Sequence, residues 1–154
     1  MKKIALIPGT FDPVTLGHLD LVDFAASIFD EVVVCICVNP NKKHHFDEAE
    51  RKAMLEKAVS SYPNVRVDVH HGMTADYALS IGAQCIVRGI RNAVDTQYEL
   101  DMADFNLNYK EGVRTLLVPA RAELANISST AVREKLAKGE NVGDLIPKKL
   151  DIQP

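Results

Sequence analysis

The sequence predicts an α/β fold, a Rossmann-like doubly wound five-stranded parallel sheet with helices on both faces, in a single domain over residues 1–154. Three observations predict it. Short apolar runs alternate with stretches of helical periodicity along the whole chain, the pattern of consecutive strand–helix units. Residues 31–38 are apolar at nearly every position, which marks a strand buried on both faces and hence a parallel sheet. Between the first apolar run and the first helical pattern lies a glycine-bearing loop, residues 8–18, the phosphate-facing corner of such folds. Right-handed crossovers then put ligands beyond the carboxyl ends of the strands.

The elements follow in order. Ile4, Ala5, Leu6 and Ile7 are the first strand, and Leu21, Val22, Ala25, Ile28 and Phe29 then recur at helical spacing. Thr15 is the expected N-cap of that helix, and Gly17 opens its first turn so that His18 projects toward an anion. The second strand, residues 31–38, ends in a turn at Asn39, Pro40 and Asn41 and delivers Lys42, Lys43, His44 and His45 to the sheet edge. Asp47 and Glu50 predict a capping box for a helix carrying Met54, Leu55, Ala58 and Val59. Val65, Val67 and Val69 alternate as a third strand; Ala75, Ala78 and Leu79 mark a short helix closed by Gly82. Cys85, Ile86 and Val87 form a short fourth strand that runs directly into Arg88, Gly89, Ile90 and Arg91. A longer helix carries Val94, Tyr98, Met102, Phe105 and Tyr109 on one stripe, with more apolar surface than one sheet face needs. Residues 113–118 are the fifth strand. After a polar loop, Ile127, Ser128, Ser129 and Thr130 precede a helix that ends at Gly139. Residues 140–154 are weakly patterned and read as a short helical or irregular tail.

Composition excludes several classes. Hydrophobic residues make up 47% and charged residues 25%, the balance of a soluble globular domain with its own core. A net charge of −3 argues against a broad nucleic-acid surface, so an anion site must be a local basic cluster. No apolar run approaches the roughly 20 residues of a membrane span, and the start of the chain is too brief for a signal-peptide core. Cys35, Cys37 and Cys85 all lie in apolar runs and are expected to be buried free thiols, as in a reducing cytoplasm. His44 with His45 and His70 with His71 are adjacent pairs that share no helix face, so neither reads as a metal site.

Four groups fall on the carboxyl edge: residues 10–18 after strand one, Lys42 after strand two, Arg88 and Arg91 after strand four, and residues 128–130 after strand five. Each has a plainer reading alone. His18 is a solvated or structural histidine, Lys42 an exposed basic turn, the arginines partners of Asp95 or Glu99, and the hydroxyls an N-cap cluster. Their convergence changes the weighing, because an arginine directly after a buried strand is costly unless it meets an anion. Two helix starts with free amides, two arginines, a lysine and a histidine suit a polyphosphate and a second phosphorylated group. GxxxxGK(S/T) and GxGxxG are both absent, which sets aside P-loop proteins and the usual dinucleotide oxidoreductases.

These residues resemble the nucleotidyltransferase superfamily with an H/T-x-G-H motif, here Thr15, Leu16, Gly17 and His18, and an ISST-type motif, here Ile127, Ser128, Ser129 and Thr130. Within it the chain is similar to the bacterial phosphopantetheine adenylyltransferase family. Residues 8–13, Lys42, residues 88–91, Tyr98 and Glu99 stand in that family's order and spacing, and the likeness thins after about Gly139. The resemblance implies transfer of AMP from ATP to 4′-phosphopantetheine, giving dephospho-coenzyme A and pyrophosphate. It implies a catalytic set of Thr10, His18, Lys42 and Arg91. ATP would meet Thr10, Phe11, Gly17, His18, Arg88, Gly89, Ile90, Arg91, Glu99, Leu124, Ala125, Asn126, Ile127, Ser128, Ser129 and Thr130. Phosphopantetheine would meet Thr10, Lys42, Thr74 and Arg88. Also implied are Mg²⁺ held mainly by substrate phosphates rather than by protein ligands, a homohexamer built as a dimer of trimers, and coenzyme A as a feedback ligand. No nucleic acid or membrane is expected as a partner, and the expected location is the cytoplasm.

The chemistry agrees with that implication. A phosphate nucleophile is already anionic near neutral pH, so no general base is required, and no His–Asp or Cys–His dyad stands out. The competing readings are a cytidylyltransferase for an alcohol phosphate, an adenylyltransferase for a mononucleotide, a non-catalytic nucleotide-sensing module, and a fragment of a class I aminoacyl-tRNA synthetase.

Overall fold

The computed structural model describes residues 1–38 and 40–154; the Asn39 part of the expected turn lies outside the described residues. The chain alternates β1 (Ile4–Gly9), α1 (Leu16–Ile28), β2 (Glu31–Val38), α2 (Glu48–Ala58), β3 (Val65–His71), α3 (Thr74–Ser80), β4 (Cys85–Ile90), α4 (Ala93–Asn108), β5 (Arg114–Pro119) and α5 (Ser129–Ala137). The sheet order is β3-β2-β1-β4-β5, and every pairing is parallel. The winding therefore reverses between β1 and β4, and the loops leaving those two strands open a crevice at the carboxyl edge.

Strand parity builds the core. Ala5 and Ile7 of β1, Val32, Val34 and Ile36 of β2 and Val87 of β4 pack on one face with Val22 and Ala25 of α1 and Leu55 and Ala58 of α2. Leu6, Val33, Cys35 and Ile86 point to the other face and meet Tyr77 and Ala78 of α3. The two-faced apolar signature of residues 31–38 has this cause.

The structure departs from the sequence reading at four places. The fourth strand continues through Ile90, so Arg88 lies inside β4, opposite Leu117, rather than after it. The stripe of α4 points outward: Val94 is 84% exposed and Tyr98 60%, whereas Glu99 and Asn106 are the buried residues of that helix. Arg88 draws Glu99 inward, and the Asn106 carbonyl accepts the Val113 amide, so the polar side of α4 faces the sheet. Asp47 caps α2 by accepting from the Glu50 amide at 2.7 Å, but the reciprocal half of a capping box is absent among the described residues. Of the cysteines, only Cys35 is fully buried; Cys37 and Cys85 are half-buried, and all three are free. The tail from 140 is irregular, one of the two forms expected, and Val142 and Ile146 pack it against Val132 and Leu136 of α5. No helix is long and apolar enough to cross a membrane among the described residues.

Candidate active site

The loop after β1 is built around Phe11. Its backbone sits in the left-handed region (φ 51°), uncommon for a bulky residue, and its ring is buried 4.8 Å from the His18 ring. Gly9 leaves room beneath it, since a Cβ there would stand 3.0 Å from the Phe11 ring and press on it. Surrounding groups hold this conformation. Arg51 Nη1 donates to the Thr10 carbonyl at 3.0 Å, Arg133 Nη1 to the Asp12 carbonyl at 2.7 Å, and Ser129 Oγ to the Pro13 carbonyl at 2.7 Å. The Asp12–Pro13 peptide is cis.

Thr15 caps α1 as expected, and the partner closing the capping box is His18 itself. The Thr15 amide donates to His18 Nδ1 at 3.0 Å, while the Thr15 hydroxyl accepts from the His18 amide at 3.4 Å. With Nδ1 accepting, the proton of the neutral ring resides on Nε2, which becomes a fixed donor on a cavity-lining side chain. Burial first, then the nearby Arg88 and Arg91 guanidiniums, push the His18 pKa down to about 4. His18 is therefore neutral near pH 7. In the unfolded chain it takes up a proton below about 6.5, whereas the folded site refuses it until about 4. Stability should therefore fall with acidification across that window, by about 1.4 kcal/mol per pH unit from this residue alone. Urea unfolding of His18→Gln between pH 7 and 4.5 should show a shallower loss; an unchanged slope contradicts the assignment.

Arg88 is anchored on three sides. Nε and Nη2 grip Glu99 in a bidentate pair at 2.9 and 2.7 Å, and Nη1 donates to the Pro8 carbonyl at 2.7 Å. Each terminal nitrogen retains one N–H for a ligand. The Glu99 carboxylate, 4% exposed, is thus the counter-charge of Arg88. Among the described residues the Arg91 side chain is held by Asp95 alone, at 3.4 Å, and it is half-exposed. Lys42 is exposed and has no ion pair among the described residues, and the Thr10 hydroxyl likewise has no hydrogen-bond partner among them.

On the opposite wall, Ser128 caps α5 by accepting from the Ala131 amide at 3.0 Å, and the Thr130 hydroxyl accepts from Arg133 at 3.1 Å. The Ser129 and Thr130 amides have no partner among the described residues, and neither does the Gly17 amide at the start of α1. Two helix N-termini thus open on one cavity of about 540 Å³. Its lining includes Thr10, Phe11, Gly17, His18, Lys42, Thr74, Arg88, Gly89, Arg91, Glu99, Leu124, Ile127, Ser128, Ser129 and Thr130. Ile90, Ala125 and Asn126 stand outside that lining.

Thr74 donates its hydroxyl to Cys37 Sγ at 3.4 Å, so this cavity wall carries a thiol. Hydrogen bonding by Cys35, and then by Thr74, eases ionisation of Cys37, whereas the Cys35 and Cys85 thiols are pushed up. Iodoacetamide should accordingly label Cys37 first. Equal labelling of all three cysteines contradicts this order.

Sequence reasoning missed Arg51 and Arg133, which belong to none of the motifs singled out; Arg51 is 2% exposed. The nearest signal was the position of Arg51 on the helix face that carries Leu55, one turn on. Cavity carboxylates are already engaged, Asp12 with two amides, Asp20 with Arg121, Asp95 with Arg91 and Glu99 with Arg88. Among the described residues no group of three or more His, Cys, Asp or Glu side chains is arranged to hold a metal ion.

Comparison with known proteins agrees with this architecture. A family model described as Cytidylyltransferase-like matches residues 6–135. The phosphopantetheine adenylyltransferase of Bdellovibrio bacteriovorus is 41% identical over 147 residues, which is 96% of this chain and 92% of that protein. Two crystal structures of a bifunctional NMN adenylyltransferase/ADP ribose pyrophosphatase from Francisella tularensis share the fold. The one complexed with AMP and a Mn ion has a TM-score of 0.67 at 19% identity over 95% of this chain; the other has 0.69 at 18% over 97%. This chain spans only 44% and 46% of those longer chains. On the family match and the 41% identity, the chain belongs to the cytidylyltransferase-like family and, within it, to the phosphopantetheine adenylyltransferases.

Proposed function

We propose that the chain transfers the adenylyl group of ATP to 4′-phosphopantetheine, releasing pyrophosphate and forming dephospho-coenzyme A. The observation that carries this reading is the single cavity in which two helix N-termini, a neutral His18, Arg88, Arg91 and Lys42 converge. The acceptor phosphate is the nucleophile and brings its own negative charge. The work left to the protein is to bring two anions together and to stabilise charge as pyrophosphate leaves. In this reading the free Gly17, Ser129 and Thr130 amides and Arg91 hold the ATP phosphates, and His18 Nε2–H donates to the α-phosphate as its charge builds. Thr10 and Lys42 orient the acceptor phosphate, and Thr74 lies along the rest of that substrate. Arg88, fixed by Glu99, presents its remaining N–H groups between the two. The displacement is in line, with no covalent enzyme intermediate.

With its cavity carboxylates committed, the chain suits a divalent cation carried on substrate oxygens; Mg²⁺ so held neutralises phosphate charge. The exposed apolar side of α4, with Val94, Tyr98, Met102 and Phe105, supports assembly through that helix, for which we take the homohexamer as the form and coenzyme A as its feedback ligand. Three free thiols suit the cytoplasm.

The test is pyrophosphate release in the presence of Mg²⁺. Release should require ATP and phosphopantetheine together, and CTP or nicotinamide mononucleotide should not replace either. Release with another pair overturns the substrates and keeps the site; ATP binding without release from any pair favours a sensing module.

A further inference from the structure

Among the described residues, the segment that brings Lys42 to the cavity has no helix or strand of its own, since β2 ends at Val38 and α2 begins at Glu48. Two buried charged side chains tie this segment to the loop carrying Thr10. Asp12, 3% exposed, accepts from the His45 amide at 2.8 Å and from the Phe46 amide at 2.9 Å. Arg51, 2% exposed, returns the link, its Nε donating to the Phe46 carbonyl at 3.1 Å and its Nη1 to the Thr10 carbonyl at 3.0 Å. Asp12 reaches from the first loop to the second, and Arg51 reaches from α2 to both, so the four bonds close a ring. A buried charge with hydrogen bonds to backbone is costly to misplace, because any slip of the loop strands it without a partner. The ring therefore fixes where the Lys42 segment leaves the protein surface.

We propose that Asp12 and Arg51 are positioning residues, which hold Lys42 in register with Thr10 and His18. The proposal rests on the adenylyl-transfer reading for its kinetic part, but its structural part is readable without any substrate. Asp12→Asn preserves volume and one acceptor while turning an N–H toward an amide that it must repel. Native-state trypsin cleavage after Lys42 and Lys43, measured against cleavage after Lys138 as an internal reference, reports the order of the loop. Cleavage at the loop should rise roughly tenfold in Asp12→Asn. In turnover, kcat should fall roughly tenfold to hundredfold with the KM for ATP near that of the parent. The same substitution in a Lys42→Ala background should cost little more, since the clamp acts through Lys42.

Unchanged loop cleavage overturns the proposal, and so do losses that simply add in the double variant, which would mark Asp12 as a general stabilising residue. Arg51→Lys keeps the charge but reaches only one of the two carbonyls. It should show the same pattern in weaker form, and it decides the matter if Asp12→Asn does not fold. Absence of turnover by the parent chain with ATP and phosphopantetheine would sink the substrate reading alone, and the cleavage ratio would still decide the clamp.

Discussion

His18→Ala is expected to lower kcat roughly 10²- to 10³-fold while the Kd for ATP changes only a few-fold. The asymmetry follows from the ring's fixed state. Nδ1 is occupied by the Thr15 amide, and burial, with the nearby arginines, keeps the ring neutral. Nε2–H is therefore a dipole held in place before substrate arrives, worth most where charge develops. On the proposed reading the ground-state phosphates would have the helix amides and Arg91 as further partners, so binding should survive loss of the ring. His18→Asn or His18→Gln should recover little, since neither can rest on the Thr15 amide and reach the same point. Pre-steady-state ATP binding alongside steady-state turnover separates the two quantities. An equal loss in both would make His18 a ground-state ligand only.

Arg88→Ala is expected to cost about 3–5 kcal/mol of stability, because it leaves the Glu99 carboxylate buried without its counter-charge. Turnover should also collapse, as the remaining guanidinium N–H groups vanish from the cavity. The two losses are separable. Arg88→Met combined with Glu99→Leu removes both charges from the same space and should restore much of the stability but none of the turnover. Urea unfolding of the two variants reads the first effect, and product formation by the refolded double variant reads the second. Parent-like stability in Arg88→Ala would mean that Glu99 finds another partner.

Much of the fold was legible because strand burial leaves a simple trace. The alternation of Val32 and Val34 against Val33 and Cys35 maps directly onto the two faces of the sheet. Thr15, Asp47 and Ser128 were legible as caps because their short side chains satisfy helix amides locally. The orientation of α4 was not legible. Periodicity marks a stripe but not the direction it faces, and here a single arginine in β4 draws the polar side inward. The length of β4 was misread because a charged residue interrupts an apolar run, even though its partner Glu99, eleven positions on, was among the carboxylates named for it. At the site, the edge on which Thr10, His18, Lys42, Arg88 and Ser128 gather was legible from topology. The buried Arg51 and the partners of Asp12 were not, because these hydrogen bonds span 41 and 34 positions to backbone groups that carry no sequence identity.

The central claim is that both substrates react directly with each other, held by preorganised charge in one cavity. Isotope exchange between labelled pyrophosphate and ATP in the absence of phosphopantetheine tests it most directly. No exchange above background is predicted, with exchange appearing only when dephospho-coenzyme A or the acceptor is supplied. Exchange at the turnover rate with ATP alone would show an adenylated enzyme intermediate and contradict direct displacement.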